Sequence, residues 1–268
     1  MGKEKLGRGG FGTVYRAESR SLGYVAIKEI DSETDEKAQK IFRNELKQLD
    51  RSSHVRIINF YGISLDMKEK THYLVMEYAN NGTLRKYLQN KKLVWPKKIQ
   101  LAGQIAEGMS YLHSIDITHR DLHTSNILIH DGNIKISDFG NSKYLNSIAA
   151  TSSKEFCGVI PFIDPRKLEN PKYPYDKKSD VYSIGVLMWE ISSDGQPQFS
   201  QNGDNNPIGL LLGITRGSRE KPIAGTPKQY IDLYLKCWGY EPNERPSMAE
   251  ILQQLNSLEL DPKYDAIN

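Results

Sequence analysis

Cysteine is scarce in this chain of 268 residues, which contains Cys157 and Cys237 alone. The two lie far apart without metal-ligand spacing. A disulfide framework is therefore excluded, and we expect an intracellular, cytoplasmic protein. Long apolar runs are also missing. Uncharged apolar runs such as "VYSIGVLMW" from Val181 fall well short of the ~20 residues that a membrane-spanning helix needs, so we expect no membrane segment.

An excess of charge of one sign is missing as well. The chain has 36 Lys and Arg residues against 33 Asp and Glu residues, for a net charge of +3. This balance offers no electrostatic attraction for nucleic acid or for a membrane surface, so we expect neither as a partner. The length suits one large domain or two lobes with cores of their own.

What the sequence does have is a glycine cluster near its start, in "LGRGGFGTVY" at 6–15. Successive bare N–H groups can cradle a phosphate, but the spacing alone fits a dinucleotide turn, a nucleoside-triphosphate loop or a flexible hairpin. The segments 13–17 and 24–30 flank a turn-like "SRSLG" and are rich in β-branched and aromatic residues, which predicts a hairpin. The glycines then form a flap between strands. The Rossmann interpretation, in which glycines open a helix, becomes a minor alternative.

The first part of the chain predicts a small antiparallel sheet with one helix. Further strands are expected at 56–65 and 71–79, after the hairpin. An amphipathic helix is expected at 35–50, with Glu45 beside its apolar stripe. Turn residues cluster directly afterwards, so we expect this lobe to span 1–79.

The remainder, 80–268, predicts a larger and mainly helical lobe, so the expected fold class is α+β with two lobes. Pro96 stands near the start of a strongly periodic helix, and Ser179 is the expected cap of a core helix that is apolar nearly all round. Polar residues gather in a non-helical stretch between about 117 and 165. The helices are predicted at 84–92, 95–114, 179–192, 228–238 and 247–258.

Four separated signals must be interpreted together: the glycine flap, "VAIK" at 25–28, "HRDLHTSN" at 119–126 and "DFG" at 138–140. Each is modest alone, since a strand lysine is most often a solvated charge and an Asp before Phe-Gly is most often a turn residue. Their order and separations rarely arise by chance. On these motifs the sequence resembles the eukaryotic protein kinase family over essentially its whole length. The segment "CWGYEPNERPS" is similar to its tyrosine-kinase-like (TKL) branch.

The resemblance implies a bilobal protein-kinase-like fold, ATP and Mg²⁺ as cofactors, protein substrates, and five catalytic residues. Lys28 would contact the α- and β-phosphates, with Glu45 as its counter-charge, because an ammonium among apolar strand residues needs a partner to hold its geometry. Asp121 would accept the proton of the substrate hydroxyl. Asn126 and Asp138 would hold Mg²⁺, which prefers such hard oxygen ligands.

The resemblance also implies a slot for the adenine base, lined by apolar side chains and offering backbone hydrogen bonds. Met76 would be the bulky gatekeeper, and the main chain at Glu77 and Ala79 would face the base. Taken one at a time, most of the apolar positions are equally well explained as core. The predicted ATP-binding residues are Leu6, Gly7, Arg8, Gly9, Gly10, Phe11, Gly12, Val14, Ala26, Lys28, Met76, Glu77, Ala79 and Leu128.

Two departures from the family pattern concern the acceptor residue. Most serine/threonine kinases carry Lys two residues after the catalytic Asp and Thr in the loop before "APE", where this sequence has His123 and Val159. "HRDLHTSN" does not match the loop typical of tyrosine kinases either, whereas "CGVIPFIDP" aligns better with the serine/threonine form. We therefore favour Ser/Thr over Tyr specificity.

A third departure concerns an anchor of the larger lobe. Asp180 resembles the family's buried aspartate that ties the core helix to the catalytic loop. In contrast, "IDPR" stands where "APE" is expected, and Arg166 occupies the position of a glutamate that the family buries against an arginine, matched here by Arg245. Two buried arginines need an anion. Either Asp164 or another acid replaces that glutamate, or Arg166 turns to solvent.

Arg120, which precedes Asp121, is suited to bind a phosphate on the activation segment. An upstream activating kinase or autophosphorylation would place it there, although a merely polar loop is an equal alternative. The leading hypothesis is an active kinase, and the alternative is a pseudokinase that serves as a nucleotide-binding or scaffolding module, which Arg166 favours slightly. A small-molecule kinase of similar fold is disfavoured by the complete motif set. The candidate phosphorylation sites are Thr151, Ser152 and Ser153.

Overall fold

The computed structural model of the protein describes residues 2–9, 12–30, 53–67, 71–138, 159–196, 199 and 206–264. Several sequence predictions lie outside these residues. They are the helix at 35–50 with Glu45, the flap residues Gly10 and Phe11, and the candidate phosphorylation sites at 151–153.

A five-stranded antiparallel sheet forms the smaller lobe. Its strands are β1 (Lys3–Gly9), β2 (Gly12–Ser19), β3 (Gly23–Ile30), β4 (Phe60–Asp66) and β5 (Thr71–Glu77). The order across the sheet is β1-β2-β3-β5-β4, so the three-stranded meander β1–β2–β3 lies beside the β4–β5 hairpin, with β3 against β5. The predicted hairpin is confirmed, with Val14 opposite Lys28 and Ala17 opposite Val25.

The glycine flap is the β1–β2 hairpin, in which Gly9 pairs with Gly12. Gly12 has a φ of +124°, and a Cβ built on it would lie 2.1 Å from the carbonyl oxygen of Glu29 in β3. Glycine is therefore required where β2 begins, both for its backbone conformation and for the close approach of β3. This packing holds the start of the flap against the strand that carries Lys28.

The larger lobe is mainly helical, as predicted. Its helices are α1 (Leu84–Asn90), α2 (Trp95–Ser114), α3 (Pro165–Glu169), α4 (Lys177–Ser192), α5 (Pro207–Thr215), α6 (Lys228–Cys237) and α7 (Met248–Asn256). Pro96 lies in the first turn of α2, as expected. A short hairpin of β6 (Ile127–His130) and β7 (Asn133–Ile136) lies within the stretch predicted to be non-helical, next to the catalytic motifs.

The core of this lobe is built around α2 and α4. Every residue of α4 from Ser179 to Ser192 is buried, in keeping with a sequence that is apolar nearly all round. Helices α2 and α6 pack against it, α7 packs against α2, and the Tyr230 hydroxyl donates to the Met188 carbonyl at 3.0 Å. The result is a rigid support for the loops at the lobe boundary.

The N-cap of α4 is Asp176, three residues before the predicted Ser179. Its carboxylate accepts from the backbone N–H groups of Lys178 at 2.9 Å and Ser179 at 3.0 Å. Both residues are good caps by type, and Asp176 satisfies two of the otherwise unpaired N–H groups of the first turn. The longer helix carries Asp180 in its first turn.

Both alternatives proposed for the Arg166 position occur together. The Asp164 carboxylate accepts from Arg245 Nη1 at 2.6 Å and Nη2 at 3.1 Å, and both side chains are fully buried. The Arg166 side chain is 33% exposed and pairs with Glu241 at 2.6 Å, with its guanidinium 4.6 Å from the Tyr240 ring centre. Aspartate thus replaces the family's glutamate as the buried anion, and the substituted arginine finds a separate acid at the surface.

Candidate active site

A cleft of about 430 Å³ lies between the sheet and the larger lobe. Its walls come from β1, β2, β3 and β5 above and from α1, β6 and the residues that flank the β6–β7 hairpin below. The lining residues are Leu6, Gly7, Arg8, Val14, Ala26, Lys28, Ile58, Met76, Glu77, Tyr78, Ala79, Gly82, Thr83, Lys86, Ser125, Asn126, Leu128, Ser137 and Asp138.

Ten of the residues predicted to bind ATP line this cleft. Gly9 and Gly12 belong to the β1–β2 hairpin at its upper edge, while Gly10 and Phe11 lie outside the described residues. The predicted gatekeeper Met76 is 8% exposed, and the backbone N–H of Glu77 donates to the Asn59 carbonyl at 2.9 Å. The ten residues are Leu6, Gly7, Arg8, Val14, Ala26, Lys28, Met76, Glu77, Ala79 and Leu128.

Lys28 and Asp138, although 110 residues apart in sequence, form an ion pair with 2.5 Å between Nζ and Oδ1. Lys28 is 4% exposed, so its ammonium group is held within the cleft. Opposite charges at this distance attract strongly in a partly desolvated site. The smaller lobe and the "DFG" segment therefore meet at one point, and the predicted partner Glu45 lies outside the described residues.

The catalytic loop brings Asp121 and Asn126 into contact. The Asn126 side-chain amide donates from Nδ2 to the Asp121 carbonyl at 2.8 Å and to its carboxylate oxygen Oδ2 at 3.2 Å. Asn126 lines the cleft, and Asp121, which is 8% exposed, lies directly beside it. Because the amide nitrogen faces Asp121, the geometry of the amide turns its oxygen away from that carboxylate.

Asp180 in α4 holds the main chain of the catalytic loop. Its carboxylate accepts from the N–H of His119 at 2.9 Å and of Arg120 at 3.0 Å, and it lies 2.8 Å from His113 Nε2. These bonds fix Arg120 at a φ of +68°, in the left-handed region that costs a non-glycine residue energy. Asp121 directly follows this turn, so the expected tie between the core helix and the catalytic loop is present.

Two other features support the loop from below. His119 is fully buried, its Nε2 lies 3.1 Å from the Ser137 carbonyl, and burial lowers its pKa, which keeps it neutral at physiological pH. Asp138 has a φ of +56° directly after Ser137, whose hydroxyl donates to the Asn126 carbonyl at 3.0 Å. The catalytic loop and the "DFG" segment are thus joined at their bases.

His123 occupies the position at which the family's serine/threonine members carry lysine. Its Nε2 lies 3.5 Å from Asp121 Oδ1, and its ring centre lies 6.2 Å from that of Phe162. The Phe162 carbonyl in turn accepts from the Ser183 hydroxyl at 2.7 Å. An imidazole next to the Asp121 carboxylate thus takes the place of the expected ammonium group.

Sequence reasoning missed a second polar network below the site. Glu190, which is fully buried in α4, accepts from Arg85 Nε and, at 3.1 Å, from Arg85 Nη2, and Thr124 of the catalytic loop donates to it at 3.4 Å. A buried carboxylate requires such partners, and desolvation raises its pKa. The network joins α1 to the catalytic loop. Because the two partners lie 105 positions apart in sequence, no local motif indicates the pair.

The donor set fits a magnesium ion bound together with phosphate. Asp138 supplies a carboxylate and Asn126 an amide oxygen, both lining one cleft, and Mg²⁺ takes one or two such oxygens and completes its coordination with phosphate and water. Among the described residues, no three His, Cys, Asp or Glu side chains group in a way that could hold a metal by themselves.

A small sheet with a glycine hairpin, set over a helical lobe and enclosing paired lysine, aspartate and asparagine side chains, defines a protein of the phosphoryl-transferring kinase class. The family model described as "Protein tyrosine and serine/threonine kinase" matches residues 1–255, and the chain belongs to this family. The predicted family and the predicted α+β bilobal fold are confirmed. In the part of the chain that the structure describes, no helix has both the length and the apolar character to cross a membrane.

The chain is similar to curated kinases of diverse organisms. It is 33% identical over 254 residues to a serine/threonine-protein kinase/receptor of Acanthamoeba polyphaga mimivirus, covering 93% of this chain and 15% of the relative. It is 33% identical to mouse tyrosine-protein kinase TXK, covering 95% and 47%, and 34% identical to human mitogen-activated protein kinase kinase kinase 7, covering 96% and 41%. The chain thus spans less than half the length of each of these three. These relatives include serine/threonine and tyrosine kinases, and the match to mitogen-activated protein kinase kinase kinase 7 accords with the predicted tyrosine-kinase-like branch.

Proposed function

We propose that this chain is a protein kinase domain that transfers the γ-phosphoryl group of ATP to Ser or Thr hydroxyls of proteins, in signal transduction inside the cell. The observation that carries the proposal is the 2.5 Å ion pair between Lys28 and Asp138, in the same cleft as Asn126 and beside Asp121. We propose further that the two lobes divide at residues 79 and 80, where the turn after β5 leads into α1.

In the proposed reaction the substrate hydroxyl oxygen attacks the γ-phosphorus, the bond from that phosphorus to the β-phosphate oxygen breaks, and ADP leaves. Asp121 orients the hydroxyl and receives its proton, which contributes about 10²–10⁴-fold to the rate. Asn126 keeps the Asp121 carboxylate in place through its 3.2 Å hydrogen bond. Lys28 neutralises charge on the α- and β-phosphates.

Asn126 and Asp138 are proposed to hold the magnesium ion. Mg²⁺, when bound, supplies positive charge next to the phosphate oxygens. The base is proposed to lie between the apolar side chains of Val14, Ala26 and Leu128. Since the Glu77 N–H already donates to Asn59, its carbonyl is the group proposed to face the base.

A transfer assay tests the proposal directly. The protein is incubated with labelled ATP, Mg²⁺ and a generic protein substrate, next to the variants Asp121→Ala and Asp131→Ala. Asp131 is a matched control because its exposed carboxylate lies on the β6–β7 turn, outside the cleft lining. We expect incorporation to fall by at least ~10²-fold in Asp121→Ala and to persist in Asp131→Ala. Equal incorporation in Asp121→Ala and the parent would refute the proposal.

Acceptor type and activation are proposed in addition. Ser/Thr specificity is favoured by "CGVIPFIDP", and phosphoamino-acid analysis of a mixed substrate tests it, with phosphotyrosine alone as the contrary result. Phosphorylation at Thr151, Ser152 or Ser153, read by Arg120, is proposed to activate the domain. Mass mapping of ATP-treated protein that finds no phosphate between 139 and 165 would argue against autophosphorylation there.

Arg166 favoured the pseudokinase alternative slightly, and the Asp164–Arg245 pair argues against that ground. The anchor still has its buried anion, which comes from the N-cap of α3. The alternative predicts nucleotide binding without transfer. Stabilisation of the parent by ATP and Mg²⁺, combined with transfer no greater than that of Asp121→Ala, would favour it over the kinase proposal.

A further inference from the structure

The mouth of the cleft carries two exposed cations on the side of α1. Arg8, in β1, and Lys86, in the first turn of α1, both line the cleft and both are exposed. Within the described ranges, neither forms an ion pair with an acidic side chain. Lys86 touches the helix start only through its backbone N–H, which donates to the Thr83 hydroxyl at 3.5 Å. The two charges therefore act on whatever molecule enters from this side.

The buried Glu190 beneath this side of the cleft does not offset the positive charges of Arg8 and Lys86. Glu190 is fully buried, and both of its carboxylate oxygens accept from Arg85. Burial raises the pKa of Glu190, with the Arg85 guanidinium opposing the rise. A neutralised and enclosed carboxylate has little field at the surface. The other acid in the cleft wall, Glu77, is likewise paired, with Lys135 at 2.9 Å.

The opposite flank of the catalytic loop is also positive. Arg120 is exposed there. The pKa of Lys167 in α3 is lowered, mainly by burial and in second place by the positive charge of the nearby Arg120. The Lys167 ammonium donates to the carbonyls of Pro171 at 2.6 Å and Tyr173 at 2.7 Å, which hold it without cancelling its charge. Arg120 and Lys167 thus add positive charge beside the catalytic loop, next to α3.

We propose that the phosphorylated segment of the substrate is acidic next to its acceptor residue, and that Lys86 is a specificity-determining residue that contacts an acidic side chain of that segment. This inference rests on the proposed function and names the substrate class for the same site. A single exposed ion pair is worth little, so we expect each well-placed acid to raise kcat/KM by about threefold to fivefold. The preference should weaken with added salt, because exposed charges are screened.

Three peptides of equal length test it, each with one central Ser flanked by Asp, by Ala or by Lys. The parent is expected to prefer them in that order. Lys86→Glu should remove or reverse the preference, whereas Lys92→Glu should keep it, since Lys92 makes the same charge change at an exposed site beyond the far end of α1 and outside the cleft lining. The KM for ATP is measured for each variant.

The possible results separate this inference from the proposed function. If neither the peptides nor a generic protein substrate is phosphorylated, the proposed function fails and this inference fails with it. If the peptides are phosphorylated without preference, or with the basic one preferred, this inference alone is overturned. It is also overturned if Lys86→Glu slows all three peptides equally through a raised KM for ATP, since Lys86 would then act on the nucleotide.

Discussion

The Asp164–Arg245 pair provides the sharpest test of how this chain departs from its family. Both side chains are fully buried and joined by two hydrogen bonds, so Asp164→Asn leaves the Arg245 guanidinium in the core without its counter-charge. Such a loss costs about 3–5 kcal/mol. Three backbone carbonyls still accept from Arg245, which places the expected cost near the lower limit, at about 3 kcal/mol.

This cost is large enough to measure by thermal unfolding. In a domain of this size each 1 kcal/mol shifts Tm by about 2–4 °C, so Asp164→Asn is expected to lower Tm by about 6–12 °C. Circular dichroism or differential scanning fluorimetry measures the shift. Arg166→Ala is the matched control, because its ion pair with Glu241 is half-exposed and its loss should change Tm much less.

A second variant tests whether a glutamate at position 166 could serve as the buried anion in place of Asp164. Arg166→Glu installs the residue that the family usually carries, yet we expect it to lower Tm here, because the new carboxylate would face Glu241 and lie near Asp164. Combining it with Asp164→Ala should recover part of the loss. An Asp164→Asn variant as stable as the parent, or an Arg166→Ala variant that is the less stable of the two, would refute the assignment of Asp164 as the buried anchor.

Three further outcomes are expected. His123→Ala should lower kcat more than it changes the KM for ATP, because His123 Nε2 lies 3.5 Å from the Asp121 carboxylate. His123→Lys should recover part of the lost kcat, and steady-state kinetics measures both variants. Arg85→Met should destabilise the fold at neutral pH, because it leaves the buried Glu190 carboxylate without its counter-charge. Burial raises the pKa of Glu190, and its protonated form needs no counter-charge, so the difference in Tm between the variant and the parent should narrow as pH falls, as measured by thermal unfolding. Cys237 should resist alkylation at pH 8 until denaturant is added, because burial raises the pKa of its thiol to about 12. Peptide mass spectra that show fast labelling of Cys237 in the native protein would contradict this.

The sequence predicts best those features that a local pattern encodes. The hairpin around Gly23, the helix with Pro96 in its first turn and the core helix with Asp180 all follow from spacing and residue type. Helix α5 was not predicted, because "PIGLLLGIT" is apolar on all sides and holds two glycines, so it shows no helical period. Its start depends on Asn206, whose side chain accepts from the N–H groups of Ile208 and Gly209.

Contacts between distant segments are the part that the sequence leaves open. Residue type alone does not indicate that Lys28 and Asp138 meet in one site; only the family motifs indicate it. Arg85 and Glu190 belong to no motif, and a basic residue in a short helix is normally expected at the surface. Their pairing becomes visible only when the fold places α1 over the end of α4. The predicted cap of α4 also differs from the observed one, because Asp176 and Ser179 are both residues of capping type three positions apart and local geometry selects Asp176.

The exchanged anchor bears directly on the question of activity, because a continuous set of contacts links it to the catalytic loop. Asp164 follows the 3₁₀ turn at Ile160–Phe162, and the Phe162 carbonyl is held by Ser183 of α4 while its ring lies beside His123. If Arg245 had no buried anion, this turn would lose its support and the loss would extend to the neighbour of Asp121. Because Asp164 in the same segment supplies the buried anion, the effect of having arginine at position 166 is confined to the surface. A change that looks disabling in the sequence is therefore compensated two residues away, and the catalytic side chains keep the support that phosphoryl transfer requires.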